Sequence, residues 1–181
     1  MEKTLSKELT GRIRGIKLLI FDVDGVLTDG KIVYTDGGAE IKAFDVRDGH
    51  GIKLVMRSGI DVALITARQS SVVDHRAKDL GIDLVYQGMK DKLAAFEDIL
   101  DKKSLRPEDA AYVGDDIIDL PVLKRAGFSC AVSDAVDEVR GMVDYVAVKR
   151  GGRGAAREIC ELILKAQGKW DGIVKGYLQR W

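Results

Sequence analysis

The sequence predicts an α/β fold, a Rossmann-like three-layer sandwich in which helices cover both faces of a mainly parallel sheet. Short apolar runs alternate along the chain with stretches of helical periodicity, which is typical of consecutive βαβ units. The 181 residues suffice for one full core, whereas two domains would be cramped. We therefore expect one domain over residues 1–181, with an N-terminal extension at 1–15 and a C-terminal tail at 168–181.

Six apolar runs are predicted strands, and five segments of helical period are predicted helices. Gly59, Gly81 and Gly127 each follow one of these helices and are expected to end it, since glycine readily adopts the conformation of a C-terminal cap. The predicted strands are 17–22, 61–65, 84–86, 110–113, 128–131 and 145–147. The predicted helices are 51–57, 71–80, 90–100, 117–125 and 155–166.

The segment 31–44 departs from this alternation. Two β-prone stretches, 32–34 and 40–44, flank the turn signal TDGG. We predict a β-hairpin that projects beyond the first strand. The hairpin and one helix fill the chain between the first two strands of the sheet, so no cap domain is expected.

Composition and charge exclude several classes of function. Lys plus Arg and Asp plus Glu both number 29, so no overall field directs the molecule to nucleic acid or to an anionic membrane. Neither a signal peptide nor a stretch of membrane-spanning length is recognisable, which favours a soluble, cytoplasmic protein. Cys130 and Cys160 lack partners at ligand spacing and are expected to be buried without a chemical role.

The segment FDVDGVLTDG, directly after the apolar run 18–20, carries the most chemical information. Asp22 and Asp24 are two positions apart in an extended chain, so their side chains project to the same side and can address one phosphorus and its leaving oxygen. Ligands of open parallel sheets bind at the carboxyl edge, where this segment is predicted to lie. Taken alone, an acidic turn after a strand explains the motif equally well.

Further polar groups follow other predicted strands and are expected at the same edge. Thr66 follows strand 61–65 and offers a hydroxyl to a phosphate oxygen. Lys92 stands at a helix start, where its ammonium adds to the partial positive charge of the helix. Asp115 and Asp116 follow strand 110–113. One such residue would be unremarkable, but the ordered set favours a phosphoryl-transfer site.

The carboxylates at this edge indicate a divalent cation. Asp22, Asp24, Asp115 and Asp116 would repel one another, and without a cation at least one would have to be protonated. Mg²⁺ prefers oxygen ligands and retains waters, which leaves a position for a substrate phosphate. No His or Cys accompanies these motifs, so Zn²⁺ is a poor candidate. Mg²⁺ is the predicted cofactor.

The motifs resemble, in the same order, those of the haloacid dehalogenase superfamily of phosphatases: Asp22-x-Asp24, Thr66, Lys92 and Gly114-Asp115-Asp116-x-x-Asp119. Within that superfamily, residues 18–167 are most similar to the 3-deoxy-D-manno-octulosonate 8-phosphate (KDO 8-phosphate) phosphatases, in VRDGHGIK, LVYQGMKDK, YVGDDIIDLPVL and GGRGAARE. The N-acylneuraminate 9-phosphate phosphatases look similar and are the alternative.

The resemblance implies a role for each motif residue. Asp22 would attack phosphorus to form an aspartyl-phosphate, while Asp24 would protonate the departing sugar oxygen and later activate water. Thr66 and Lys92 would bind phosphoryl oxygens. Mg²⁺ would be held by the Asp22 carboxylate, the Asp24 backbone carbonyl and Asp115. The resemblance further implies that Asp116 would act through a metal-bound water and that Asp119 would orient Lys92.

The resemblance also implies a small phosphorylated sugar acid as substrate. Guanidinium groups suit its carboxylate, and Arg68 and Arg76, eight residues apart, are expected to share one face of the helix after Thr66. The substrate-contacting residues implied are Asp24, Asp45, Val46, Arg47, Asp48, Gly49, Lys53, Arg68, Arg76 and Lys92.

An uncapped site needs another way to exclude water. The resemblance implies a homotetramer in which projecting hairpins join the subunits and each site lies at an interface. The glycine-rich segment 151–154 is either a flap over such a site or a plain loop ahead of a helix. Trp170, Tyr177 and Trp181 in the tail pack on this or on another subunit.

Two rivals belong to other classes, a phospho-aspartate receiver and an oligomeric scaffold with a structural cation site. In receivers the acidic pair follows the first strand and the phosphorylated Asp the third, whereas here the adjacent pair Asp115-Asp116 follows the fourth. Receivers also end near ~120 residues, within the single-domain mode. By resemblance, we expect a phosphatase that releases KDO from its 8-phosphate in lipopolysaccharide biosynthesis.

Overall fold

The computed structural model describes residues 6–179. It contains eight helices within that range, α1 (Lys7–Arg14), α2 (Val46–Arg57), α3 (Ser71–Leu80), α4 (Lys92–Lys103), α5 (Leu120–Arg125), α6 (Asp137–Arg140), α7 (Ala155–Ala166) and α8 (Trp170–Leu178). The strands are β1 (Leu18–Phe21), β2 (Val33–Tyr34), β3 (Glu40–Ile41), β4 (Asp61–Ile65), β5 (Leu84–Tyr86), β6 (Ala110–Gly114), β7 (Phe128–Ala131) and β8 (Tyr145–Val146).

Six of the strands form one parallel sheet in the order β5-β4-β1-β6-β7-β8. All four side chains of β1 are buried, as expected for a central strand covered on both faces. Leu18 is paired with Asp61 of β4 and with Ala110 of β6, so these three strands run in step. The residues that follow them therefore meet at one edge of the sheet.

The predictions of the six sheet strands are confirmed to within one residue at every end, whereas the hairpin strand expected over 40–44 ends at Ile41. Helices over 71–80 and 155–166 are also confirmed. The helix predicted from residue 51 begins at Val46 instead, because Asp45 accepts the amide of Arg47 at 2.7 Å and caps it. The helix predicted over 117–125 is a 3₁₀ turn, Ile117–Asp119, followed by α5.

Three helices were not predicted from the sequence. Helix α1 is only eight residues long and buries only Ile13. Helix α6 spans a single turn, which is too short to show a period. Helix α8 buries no residue, but its apolar residues do recur at helical spacing, a pattern that sequence reasoning overlooked: Trp170, Ile173, Val174, Tyr177 and Leu178.

Two of the three predicted helix-ending glycines behave as expected. Gly59 and Gly81 follow α2 and α3 with φ values of 82° and 81°. Gly127 differs, since it is not among the glycines of positive φ. A Cβ at Gly127 would lie 2.4 Å from the carbonyl oxygen of Glu108. Glycine is therefore required there by the close approach of another backbone.

The predicted hairpin is present as the antiparallel pair β2 and β3, in which Val33 lies opposite Ile41. Its apolar side chains are half exposed, including Ile32 at 50% and Tyr34 at 59%. Between β1 and β4 the chain forms only this hairpin and α2, so no cap domain is inserted there. In the described range of 6–179, no helix is long and apolar enough to cross a membrane.

The two kinds of glycine give a stability prediction. Gly127→Ala forces a methyl group into backbone and should lower the free energy of unfolding by ~1–3 kcal/mol. Gly11→Ala is the control, because Gly11 lies in α1 with nothing within 4 Å of a new Cβ. It should raise stability by up to ~1 kcal/mol through helix propensity. Urea denaturation distinguishes the two, and equal effects would contradict the steric argument.

Candidate active site

The loop after β1 holds the predicted nucleophile at the carboxyl edge of the sheet. Asp22 is only 5% exposed, and its amide donates to the carbonyl of Val113 at 3.0 Å. Thr28, also buried, accepts the amides of Gly25 and Gly30 at 3.3 and 3.2 Å. The Thr28 hydroxyl thus provides hydrogen-bond acceptors for amides that have no backbone partner in the turn. Sequence reasoning did not identify Thr28 as a residue that shapes the site.

Gly25 is required for both conformation and space. Its φ of 97° lies in the left-handed region, and a Cβ there would lie 2.0 Å from Asp115 Oδ2. The absence of a side chain thus allows the Asp115 carboxylate to approach the loop that carries Asp22 and Asp24. The two acidic motifs, far apart in sequence, meet as predicted.

A buried ammonium joins the acidic groups. Lys92 Nζ lies 2.9 Å from Asp22 Oδ1 and 2.7 Å from Asp119 Oδ1, and its side chain is 2% exposed. Burial alone would lower the pKa of Lys92, but the charges of Asp22 and Asp119 outweigh it and raise this pKa above its usual value. Lys92 therefore carries a full positive charge beside Asp22, the predicted nucleophile.

Asp119 is fully occupied by its own neighbours. Its Oδ1 accepts from Lys92 and from the Tyr112 hydroxyl, each at 2.7 Å. Its Oδ2 accepts the amides of Asp115 and Asp116 at 3.0 and 3.2 Å. A carboxylate has about four acceptor positions, and all are used. This geometry is that of a residue that orients Lys92, the role expected of it, and it leaves no free lone pair for a metal.

Asp22 and Asp115 fit a cation. Each offers an oxygen to a cluster with Asp119 in which these atoms lie within 4.8 Å of one another. Burial, followed by the neighbouring carboxylates, raises the pKa of Asp115 to about 8. Burial also raises the pKa of Asp22 to about 6, although Lys92 opposes this. Within residues 6–179, Asp115 Oδ1 is buried and has no hydrogen-bond partner. An all-oxygen site of this kind suits Mg²⁺.

Thr66 lies next to this cluster at the end of β4. It is 2% exposed, and its backbone is held by the carbonyl of Tyr86 and the amide of Met89 at 2.9 and 3.0 Å. Its hydroxyl accepts the amide of Arg68 at 3.3 Å. The structure thus fixes Thr66 firmly at the edge where the sequence predicted a phosphate-binding hydroxyl.

The expectation that Arg68 and Arg76 share one helical face is wrong. Helix α3 begins at Ser71, so Arg68 lies in the loop before it. Arg68 binds Glu40 Oε1 at 2.9 Å, whereas Arg76 lies 5.3 Å above the Phe44 ring. The error arose because the spacing argument assumed a helix that starts directly after Thr66.

The other residues predicted to contact the substrate lie either in a surface groove or at the start of α2. Val46, Gly49, Lys53 and Arg76 line a surface groove to which Asp22 and Lys92 do not contribute. Asp45 caps α2, and Arg47, with 68% of its side chain exposed, binds the Asp45 carboxylate at 2.9 Å. None of these residues contacts Asp22 through a described hydrogen bond or ion pair.

Asp48 is buried and joins α2 to the start of α7. It is 2% exposed, and its two carboxylate oxygens accept the amides of Gly154 and Arg157 at 3.2 and 2.7 Å. A side chain of α2 therefore caps the start of α7. The substrate contact implied for Asp48 stays a prediction.

The glycine-rich segment 151–154 packs against its own subunit in this structure, and its role as a flap over a neighbouring site stays a prediction. The amide of Gly152 donates to the Val26 carbonyl at 2.9 Å. A Cβ at Gly151 would lie 1.7 Å from the carbonyl oxygen of Gly25. The segment is thus packed against the catalytic loop of its own subunit and supports it.

The aromatic residues of the C-terminal tail contact their own subunit where the structure describes them, and Asp116 lies at the surface. The Trp170 ring lies 5.5 and 5.8 Å from the cationic groups of Arg157 and Lys165, so it packs on its own subunit. Tyr177 meets the His50 ring edge-on at 5.8 Å. Trp181 lies outside the described residues. Asp116 is exposed, and its Oδ1 accepts the amide of Ile117 at 2.7 Å.

Sequence reasoning missed two further residues beside Asp24. Lys42 contacts the Asp24 carboxylate and lies 3.4 Å from Glu40 Oε1, with only 1% of its side chain exposed. Glu40 in turn binds Arg68. No motif marks Lys42 or Glu40, because both come from the hairpin and reach the site only through the fold.

Comparisons with known proteins agree with this architecture. A model of haloacid dehalogenase-like hydrolases matches residues 82–159. The chain is 50% identical over 167 residues to 3-deoxy-D-manno-octulosonate 8-phosphate phosphatase KdsC of Escherichia coli K12, covering 92% of this chain and 89% of that protein. The phosphatase structure from Yersinia pestis superposes with a TM-score of 0.91 at 47% identity, covering 93% and 91%.

A second solved structure was determined with ligands. It is the 3-deoxy-D-manno-octulosonate 8-phosphate phosphatase of Moraxella catarrhalis in complex with a magnesium ion, a phosphate ion and a KDO molecule. Its TM-score is 0.92 at 44% identity, covering 94% of this chain and 98% of that one. The chain belongs to the haloacid dehalogenase-like hydrolase family and is an enzyme of that family.

The raised pKa values of the acidic cluster predict how stability depends on pH without metal. An unfolded Asp titrates at about pH 4, whereas in the folded state the pKa is about 6 for Asp22 and about 8 for Asp115. Between these values the folded state holds protons that the unfolded state lacks. The free energy of unfolding should therefore fall as pH rises through this window.

Urea denaturation of metal-free protein at pH 5 and pH 8 measures this fall. Asp115→Asn, which cannot ionise, should show a shallower fall than the wild type. Adding Mg²⁺ at pH 8 should restore stability to the wild type more than to the variant, because the cation replaces the proton. An equal slope in both proteins would contradict the interpretation.

Proposed function

We propose that this protein is a Mg²⁺-dependent phosphatase that hydrolyses 3-deoxy-D-manno-octulosonate 8-phosphate to KDO and phosphate. The observation that carries the proposal is the cluster of Asp22, Lys92 and Asp115, in which the Asp22 carboxylate contacts the Lys92 ammonium and offers an oxygen within 4.8 Å of one from Asp115. Relatives that share half of the sequence are phosphatases of this compound. We place the activity in cytoplasmic lipopolysaccharide synthesis, within one domain over residues 1–181.

In the first step, Asp22 acts as the nucleophile. One of its carboxylate oxygens attacks phosphorus while the bond from phosphorus to the sugar oxygen breaks, which gives an aspartyl-phosphate. Asp24 supplies a proton to the departing oxygen, so that an alcohol leaves in place of an alkoxide. Lys92 and Thr66 bind the phosphoryl oxygens and stabilise the charge that spreads over them in the transition state.

In the second step, Asp24 accepts a proton from water. The resulting hydroxide attacks phosphorus, the bond to Asp22 breaks, and phosphate is released with the Asp22 carboxylate restored. Asp119 keeps Lys92 in place through both steps, because its other lone pairs are held by Tyr112 and by two backbone amides.

Asp22, Asp115 and the backbone carbonyl of Asp24 would hold Mg²⁺. The ion would neutralise the crowded carboxylates and the phosphate charge when it is bound. With a pKa of about 6, Asp22 is largely ionised at neutral pH, whereas Asp115, with a pKa of about 8, retains a proton that the ion would replace. Asp116, which is exposed, would act through water.

The catalytic unit is expected to be a homotetramer with sites at subunit interfaces. Two observations support this proposal: the hairpin exposes apolar side chains such as Tyr34, and the groove containing Lys53 and Arg76 excludes the Asp22 cluster of its own chain. A neighbouring subunit would bring that groove to the sugar end of the substrate. Sedimentation should show a tetramer, and a fully active monomer would contradict the shared site.

Phosphate release from the eight-carbon and nine-carbon keto-acid phosphates tests the substrate. The eight-carbon compound should have the higher kcat/KM, and chelation of Mg²⁺ should abolish turnover. Asp22→Asn is the matched control, since it keeps the shape of the side chain but removes the nucleophile. It should fold normally and lose activity by a factor on the order of 10⁴ or more. Preference for the N-acylneuraminate compound would favour the alternative substrate class.

Multiple turnovers would also separate the enzyme from the two rival classes. A phospho-aspartate receiver would stop at its phosphorylated form, and a scaffold would release no phosphate. The order of the strands argues against a receiver, because the nucleophile follows β1 and the acidic pair follows its neighbour β6.

A further inference from the structure

Lys42 is buried in a segment that is otherwise exposed. It directly follows β3 of the hairpin, where Ile41 is 50% exposed, yet only 1% of the Lys42 side chain is accessible. Its ammonium contacts Asp24 Oδ1. Removing a lysine charge from water is costly unless a partner compensates for it. The hairpin therefore directs a cation into the site of its own subunit.

Glu40 and Arg68 complete a ring of alternating charges around this contact. Glu40 Oε1 lies 3.4 Å from Lys42 Nζ and 2.9 Å from Arg68 Nη2. Arg68 Nε lies 3.7 Å from Asp24 Oδ2, which is within ion-pair distance but beyond hydrogen-bond distance. Two carboxylates and two cations thus alternate, and each cation is adjacent to both carboxylates.

The two carboxylate oxygens of Asp24 differ in their hydrogen bonding. Oδ1 is held by Lys42, whereas Oδ2 is buried and has no hydrogen-bond partner within the described part of the chain, 6–179. A carboxylate that transfers protons needs one oxygen free to reach the substrate and a fixed plane. The Lys42 contact restrains the group through Oδ1 alone and leaves Oδ2 without a hydrogen-bond partner.

We propose that Lys42 is a positioning residue that holds the Asp24 carboxylate in the orientation its acid–base role needs, so that the hairpin contributes to catalysis in its own subunit. The inference rests on the proposed function, in which Asp24 gives its proton to the leaving oxygen as the phosphorus–oxygen bond breaks. A salt bridge that serves only stability would not depend on the leaving group.

The test compares two leaving groups in Lys42→Met. The value of kcat/KM reports steps up to formation of the aspartyl-phosphate. A sugar alkoxide needs the proton from Asp24, whereas p-nitrophenolate leaves without one. We expect kcat/KM to fall on the order of 10²-fold for the keto sugar-acid phosphate and less than about 5-fold for p-nitrophenyl phosphate. Lys42→Arg, which keeps a cation, should recover part of the loss.

Lys31→Met is the matched control, because Lys31 lies just before the same hairpin with 73% of its side chain exposed. It should leave both values unchanged. An equal loss for both substrates in Lys42→Met, or no loss, would overturn the proposal. If this variant does not fold, Glu40→Gln decides, and an unchanged ratio of the two values would also overturn it. Failure of the proposed function would instead appear in the wild type, as absence of turnover.

Discussion

The site depends on one buried charge, the ammonium of Lys92 held between Asp22 and Asp119. An unpaired ammonium at 2% exposure would be strongly disfavoured, and so would two buried carboxylates without a cation. The three groups therefore stabilise one another only when β1, α4 and the 3₁₀ turn after β6 are all in place. Assembly of the sheet edge and assembly of the catalytic charges are the same event.

The remaining features of the site follow from this arrangement. Burial, followed by the charges of Asp22 and Asp119 that Lys92 neutralises only in part, raises the pKa of Asp115, and its Oδ1 has no hydrogen-bond partner within residues 6–179. That residual charge is what a hard divalent ion would neutralise. Gly25 and Gly151 have no side chains at points where backbone or carboxylate must approach within 2.0 Å of a Cβ position. The glycine positions and the charged side chains at this edge of the sheet therefore depend on one another.

Most of the fold and the central part of the site could be predicted from sequence. The apolar runs that form the strands, and the residues directly after β1, β4 and β6, carry enough local information because a parallel sheet brings all strand ends of one kind to one edge. Substrate specificity was less accessible. The Asp48 carboxylate is used to cap α7, and Arg68 lies outside the helix assumed for it, since both depend on where helices begin.

The order and spacing of the acidic, hydroxyl and ammonium groups can be read from the sequence, because each group directly follows a strand or begins a helix. Which of these groups have hydrogen-bond partners and which do not becomes clear only from the packed structure. Lys42 contacts Asp24 across 18 residues of the chain, and Lys92 contacts Asp119 across 27. Such contacts follow from how elements pack in space, which no local pattern of residues records.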